Sequence, residues 1–329
     1  MPTISLLICD DSNMARKQLL RALPDDLNVS VTLATNGKEG VEAIRRGLGE
    51  VVLLDLTMPE MDGYQVLATI REEQLKARVI VVSGDVQAEA VRRVLELGAL
   101  AFLKKPVEPE QLKSLLEDLG ILSESNRSVA VAQSVVESAT SFQDAFREVI
   151  NVAMGRAAAL LARVLGVFVH LPVPNVNMLE VGELHMALAD AQSGEQLTAV
   201  CQGYIGGGIA GEALLIFHGS ELADMAKLME QDSTDYSNME MLLDLSTILI
   251  GACLTGIAEQ IDVVFSQGHP QVLGSIEELI QTNQRRWKKT LAVEISYSLE
   301  GHNIHFDLLL LFTEDSVERL TKKLAYVMS

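Results

Sequence analysis

The sequence predicts an α/β protein in two parts. A doubly wound domain on a five-stranded parallel sheet comes first, and a pseudo-twofold α/β domain with two long related helices on a sheet follows. Three observations predict it. Short apolar runs alternate with helical periodicity through roughly the first third of the chain, the pattern of βα units. Those runs stop abruptly at charged or hydroxyl residues, as buried parallel strands do at a sheet edge. The rest of the chain repeats itself at an interval of 96 residues, the mark of an internal duplication.

The first domain is expected over residues 1–122. Apolar runs at Leu6–Cys9, Val51–Leu54, Val79–Val82 and Ala101–Leu103 read as buried strands. Helical patterns near 13–23, 38–47, 64–76, 87–97 and 109–119 complete five βα units, with Gly98 and Gly120 where helices should stop. Residues 123–138, rich in Ser, Val and Ala, are assigned as a linker, although the composition fits equally well a helix running into the next domain.

The second domain is expected over 139–329, with repeats of about 139–232 and 233–329. The first half reads as a long helix (141–166), a short strand (Val167–Leu171), Pro174, two strands (197–205 and 210–217) and a helix (219–230). The second half reads as a long helix (236–260), a short strand (Asp262–Phe265), Pro270, two strands (291–299 and 303–312) and a helix (314–327). Gly155 matches Gly251 and Pro174 matches Pro270 at the same spacing. The halves should therefore share one sheet, with the long helices packed together.

Composition narrows the function. Hydrophobic residues make up 48% of the 329, enough for packed cores, and with 4% aromatic those cores should be aliphatic. The net charge of −19 would repel a phosphate backbone. The one basic cluster, Arg285-Arg286-Trp287-Lys288-Lys289, reads as a solvated loop or helix end. No signal peptide is expected, because the first apolar run is short and meets Asp10-Asp11 directly; no stretch is expected to reach the length of a membrane span. Cys9, Cys201 and Cys253 are scattered and read as buried thiols in a reducing cytoplasm. The six histidines form no metal set, and Gly206–Gly211, although it fits GxGxxG, precedes a strand and reads as a hairpin turn.

The run-ends carry the chemistry. Asp10 and Asp11 follow the first strand, Asp55 ends Val51–Leu54, Ser83 ends Val79–Val82, and Lys105-Pro106 follows Ala101–Leu103. In an open parallel sheet these ends converge on one pocket. Clustered carboxylates need a cation, and hard oxygen ligands favour Mg²⁺. Lys105 and Ser83 would serve the oxygens of a phosphoryl group arriving at Asp55. With Met58–Gly63 as an MPxMDG turn and Phe102 three residues before Lys105, residues 1–122 resemble a two-component receiver domain. The resemblance implies that Asp55 is the phosphoacceptor. It also implies that Asp11, Asp55 and the Thr57 carbonyl bind Mg²⁺, with Asp10 ligating through water, and that Ser83 and Phe102 shift together on phosphorylation. A sensor histidine kinase is then the implied donor. Thr57 and Asp85 flank the site where side chains tune phosphate lifetime.

The first long helix carries a second constellation. Phe142, Ala145, Phe146, Val149, Val152 and Ala153 form its core stripe. Asp144, Glu148 and Asn151, then Gly155 and Ala158, follow one line on the other face, a polar line running into small residues where a partner's backbone could approach. Negative charge early in a helix also suits its dipole, so pattern alone leaves the role of this line open. The spacing Asp144-x3-Glu148-x2-Asn151-x22-Pro174, with the duplication, resembles the CheC/CheX/FliY phosphatase family. The resemblance implies that Glu148 pairs with a receiver lysine and that Asn151 orients the attacking water. The second helix has Glu240, Asp244 and Thr247 at the equivalent positions. Its acid is shorter and its amide is gone, so Asp244 and Thr247 read as a degenerate second site.

Two functions are expected to compete. In the first, the chain is a response regulator whose CheC-like domain hydrolyses the aspartyl phosphate of a CheY-type receiver, in cis or in trans. In the second, the CheC-like domain only binds, as a phosphorylation-switched adaptor for a CheD-like deamidase or another flagellar or chemotaxis partner. Exposure should separate them, since a catalytic pair is expected to be exposed. Oligomerisation is open in either.

Overall fold

The computed structural model describes residues 3–24, 27–122, 140–180, 197–229, 238–273 and 289–328. The proposed linker at 123–138, Arg285–Lys288 of the basic cluster and the seam between the repeats near 232 lie outside the described residues. The chain divides into two compact units, Met1–Glu148 and Val149–Ser329.

The first unit is built on β1 (Ile4–Cys9), β2 (Val29–Ala34), β3 (Val51–Leu54), β4 (Arg78–Ser83) and β5 (Ala101–Lys104). These form a parallel sheet in the order β2-β1-β3-β4-β5. Successive side chains on a strand face opposite ways, so an unbroken apolar run feeds two cores. Leu7, Cys9, Val52, Leu54, Val79 and Val81 enter one core, and Leu6, Ile8, Val51, Leu53, Ile80 and Val82 enter the other. The first core is covered by α2 (Gly37–Arg45), α3 (Gly63–Glu72) and α4 (Ala88–Glu96) through Val41, Ile44, Val66, Leu67 and Val94. The second is covered by α1 (Asn13–Ala22) and α5 (Pro109–Asp118) through Leu19, Leu112 and Leu116. Gly98 and Gly120, just past α4 and α5, take φ of 106° and 65°, the left-handed backbone that ends a helix.

Helix α6 (Phe142–Leu165) crosses the boundary between the units. The second unit continues with β6 (Val169–His170), β7 (Asn175–Glu180), β8 (Leu197–Gly206), β9 (Ile209–His218) and α7 (Gly219–Leu228). Its second half is α8 (Asn238–Ile261), β10 (Ser266–Gln267), β11 (Gln271–Leu273), β12 (Lys289–Leu299), β13 (His305–Phe312) and α9 (Glu314–Met328). The eight strands form one antiparallel sheet in the order β10-β8-β9-β13-β12-β6, with β11 also on β8 and β7 also on β12. The duplication is explicit in this order. β9 and β13 pair at the centre, and each repeat lends its two short strands to the long hairpin of the other.

The long helices are both 24 residues and do pack together. Gly256 of α8 sits against α6 so closely that a Cβ there would lie 2.8 Å from the Ala153 Cα. Gln260 Nε2 donates to the Val149 carbonyl at 2.9 Å, and Arg156 pairs with Glu259.

Three expectations need correction. The short strand expected at Asp262–Phe265 forms at Ser266–Gln267, since Asp262 takes a positive φ of 51° and holds the chain in a turn. The core of the second unit is not purely aliphatic: Phe217, Phe306 and Tyr297 stack at 5.2 and 5.4 Å across β9, β13 and β12. Met239–Ile261 is long and apolar enough by composition to cross a membrane, with 61% of that window buried inside the protein, as in a core helix. Gly207 and Gly208 do make the β8–β9 turn.

Candidate functional site

Hydrogen bonding continues one residue beyond β1 and β3. Asp10 N donates to the Ala34 carbonyl at 3.1 Å and Asp55 N to the Cys9 carbonyl at 2.9 Å. Adjacent strands thus deliver two carboxylates side by side where the strand order reverses. With Asp11 they offer three oxygens within 4.8 Å of one another. The turn after Asp55 is tight. Thr57 N donates to Asp55 Oδ2 at 3.0 Å, and Gly63 N to the Leu56 carbonyl at 3.0 Å. A Cβ on Gly63 would lie 2.3 Å from the Asp55 carbonyl oxygen, so the turn requires glycine. Asp62 and Gln65 then form a capping box that starts α3.

From the other side, Lys105 N donates to the Ser83 carbonyl at 2.9 Å, and the Lys105–Pro106 peptide is cis. The Lys105 ammonium lies 2.7 Å from Asp10 Oδ2 and 3.2 Å from Asp55 Oδ1. Ser83 Oγ accepts from Asp85 N at 3.1 Å, and Phe102 on β5 is half-buried against the core of the α2–α4 face. Asp10, Asp11, Asp55 and Lys105 are therefore brought together, with Ser83 bonded to Lys105 through the backbone, while Phe102 packs against the core.

The opening turns of α6 complete this pocket, and the first unit runs as far as Glu148. Glu148 Oε1 lies 3.2 Å from the Lys105 ammonium. One turn earlier, Asp144 accepts from Asn13 N at 3.2 Å and Met14 N at 3.0 Å, the first two amides of α1. Ser12 takes the third, from Ala15 N, at 3.1 Å. Sequence reasoning placed Asp144 on the polar line and explained its charge by its own helix. It missed that α1 also presents unsatisfied N–H groups after Ser12. The Ser12 N-cap was the signal available.

Burial shapes the electrostatics. Asp55 is 1% exposed, Lys105 3% and Glu148 4%. Burial raises the Asp55 carboxyl well above its usual range, against the pull of Lys105 and with Asp10, Glu148 and Asp11 adding repulsion. Glu148 is likewise raised, first by burial, with Lys105 opposing. Asp11 is pushed up to about 6 by burial and by Asp10, with Lys105 and Arg147 opposing. Burial alone would lower the Lys105 ammonium, but Asp10, Asp55 and Glu148 more than offset it and hold the lysine charged. Several buried carboxylates thus share one ammonium. The all-oxygen donor set of Asp10, Asp11 and Asp55, with its surplus of negative charge, fits a hard divalent cation.

Asn151 follows Glu148 on α6 within the second unit and is 7% exposed; Pro174 immediately precedes β7. The expectation that the Glu148–Asn151 pair be exposed is not met, and for Glu148 the reason is its contact with Lys105. At the duplicated position, Asp244 and Thr247 on α8 are exposed, and Thr247 Oγ1 donates to the Leu243 carbonyl of its own helix at 2.8 Å.

Residues 6–117 match the response regulator receiver domain family. The chain is 35% identical over 147 residues to the nitrate/nitrite response regulator protein NarL of Escherichia coli K12, covering 43% of this chain and 67% of NarL. It is 38% identical over 122 residues to protein-glutamate methylesterase/protein-glutamine glutaminase 3 of Geobacter sulfurreducens, 36% of this chain and only 33% of that protein. Among solved structures, Thermotoga maritima FliY aligns with 59% of this chain and 100% of its own, at 19% identity and a TM-score of 0.45. The CheX–CheY–BeF3–Mg complex from Borrelia burgdorferi aligns with 35% of this chain and 87% of its own, at 31% identity and a TM-score of 0.31.

Proposed function

The chain belongs to the response-regulator family, and from that premise we propose that a sensor histidine kinase phosphorylates it on Asp55 and that its second part is a CheC-type phosphatase for the aspartyl phosphate of a CheY-type receiver. The observation that carries the phosphatase reading is the ion pair between Glu148 and Lys105, the residue beside the phosphoacceptor. Its place of action is the cytoplasm, a reading supported by three unpaired thiols.

Asp11, Asp55 and the Thr57 carbonyl would hold Mg²⁺, with Asp10 through water. When bound, the ion neutralises the oxygens of the incoming phosphoryl group and holds that group toward Asp55. The residues of the chain do the rest. The Asp55 carboxylate attacks phosphorus as the bond from phosphorus to the kinase's histidine nitrogen breaks and the imidazole leaves, Lys105 binds a phosphoryl oxygen, and the Ser83 hydroxyl donates to another, with Phe102 following Ser83. In hydrolysis, the Asn151 amide would orient a water in line with the phosphorus–aspartate bond of the receiver, and Glu148 would pair with the receiver's lysine and so fix the phosphoryl group. Asp244 and Thr247 are a degenerate second site, since threonine has shorter reach and no amide.

The second reading, a non-catalytic adaptor for a CheD-like or flagellar/chemotaxis partner, is favoured by the burial of Glu148 and Asn151. Loss of labelled phosphate separates the two. The wild-type chain and its Glu148→Ala/Asn151→Ala variant are labelled with acetyl phosphate and Mg²⁺, and a labelled free CheY-type receiver is followed in parallel with each. Faster loss from either substrate with wild type than with the variant is expected, by about tenfold or more. Equal loss from both substrates would replace the phosphatase by the adaptor.

A further inference from the structure

Asp144 and Glu148 stand one turn apart on α6 and touch two different features around Asp55 of their own chain. Asp144 accepts from both leading amides of α1, at 3.2 and 3.0 Å. With Ser12 taking the third amide, the positive end of α1 is fully satisfied by side chains, and a carboxylate is the favoured partner there. Glu148 reaches Lys105, whose ammonium already holds Asp10 and Asp55. An ammonium has three donors, and here three carboxylates surround it. When Asp55 carries a phosphoryl group, one of its oxygens can replace the Asp55 oxygen at Lys105 without displacing Glu148.

We propose that the phosphoryl group this protein hydrolyses is the one on Asp55 of the same chain, with Asp144 as the docking residue that seats the opening turns of α6 over the phosphorylated pocket. The proposal rests on the phosphatase reading above and names its substrate. The step is an in-line displacement. A water oxygen bonds to phosphorus as the bond from phosphorus to the Asp55 carboxylate oxygen breaks. The electron pair leaves with the carboxylate, and both water protons end on inorganic dihydrogen phosphate. No further reactant is needed. Seated there, those turns of α6 would also stand between an arriving phosphoryl donor and Asp55, which is 1% exposed beside the Glu148–Lys105 pair. Asp144 therefore slows loading and speeds unloading.

The test mixes two full-length variants. Asn151→Ala is labelled on Asp55 with acetyl phosphate and Mg²⁺; Asp55→Asn cannot be labelled but keeps Glu148 and Asn151. Wild-type label is expected to decay at least about tenfold faster than Asn151→Ala label, at a rate unchanged by hundredfold dilution. An equimolar addition of Asp55→Asn is expected to leave the Asn151→Ala label stable. If Asp55→Asn restores rapid decay, hydrolysis is between chains and the proposal is overturned while the phosphatase survives. If wild type and Asn151→Ala decay alike and a free labelled receiver is also untouched, the phosphatase reading itself fails. Asp144→Ala supplies a second readout: labelling several-fold faster and label loss several-fold slower than wild type, with the circular dichroism of a folded chain. A folded Asp144→Ala variant unchanged in both rates would remove Asp144 from docking.

Discussion

Individual carboxylates differ here because their surroundings differ, and each makes a separate prediction. Asp55→Asn removes the attacking oxygen while keeping the shape, so phosphate incorporation from acetyl phosphate should vanish; retained label on another residue would displace the assignment. Asp85 is buried beside the site and accepts from Gln87 N at 3.1 Å; the Tyr64 phenol is pushed up first by burial and then by the Asp85 charge. Burial raises its carboxyl from 3.8 to about 6. A raised acid binds its proton more tightly folded than unfolded, so it costs nothing below pH 3.8, costs progressively more up to about pH 6, and carries its full penalty above. Asp85→Asn keeps the acceptor for Gln87 and removes the charge. It should therefore stabilise the chain by up to about 3 kcal/mol at pH 7.5 and by little near pH 4. Urea titrations at the two pH values check it, and an equal gain at both would mean that charge burial is not the cause.

Elements meet closely at points where the sequence shows only a small residue. Gly256 places α8 against the backbone of α6 at Ala153, with 2.8 Å for any Cβ to fit into. Gly256→Val should force the helices apart and cost about 1–3 kcal/mol, seen as a lower Tm by calorimetry, while Gly251→Ala, whose Cβ would meet nothing nearer than 3.7 Å, should cost less than 1 kcal/mol. Equal costs would show that the crossing can relax. The sequence carried the helices and long strands well, because their apolar periodicities are long. The predicted 141–166 and 236–260 formed as 142–165 and 238–261. It carried poorly what depends on distant partners. Strands β7 and β11 have little apolar run of their own and exist because β12 and β8 of the other repeat supply their ladders. The same blindness hid the Asp144 contact with α1, separated from it by about 130 residues, as in the bond to Met14.

At the scale of the whole molecule, duplication gives one chain two related helices in different surroundings. On α6, Glu148 is buried against Lys105; on α8, the matching Asp244 and Thr247 are exposed. Duplicated sequence alone made these positions equivalent, and only the difference in amino acid hinted that they had diverged. Their exposure now suggests what the second position lacks. Glu240, the counterpart of Asp144, is also exposed on α8, so the polar line on that helix is open along its length. What is missing is the longer acid and the amide that could hold a water. Thr247 instead donates its hydroxyl back to the Leu243 carbonyl, a local bond that ties it to its own helix. Asp244→Glu/Thr247→Asn restores both groups at exposed positions, where such changes cost the fold less than about 0.5 kcal/mol each. The double variant should speed loss of phosphate from a free CheY-type receiver several-fold over wild type, and should do so equally in an Asn151→Ala background. A gain that disappears in that background would place the added activity at Asn151, and no gain at all would mean that the face of α8, although open, does not fit a receiver.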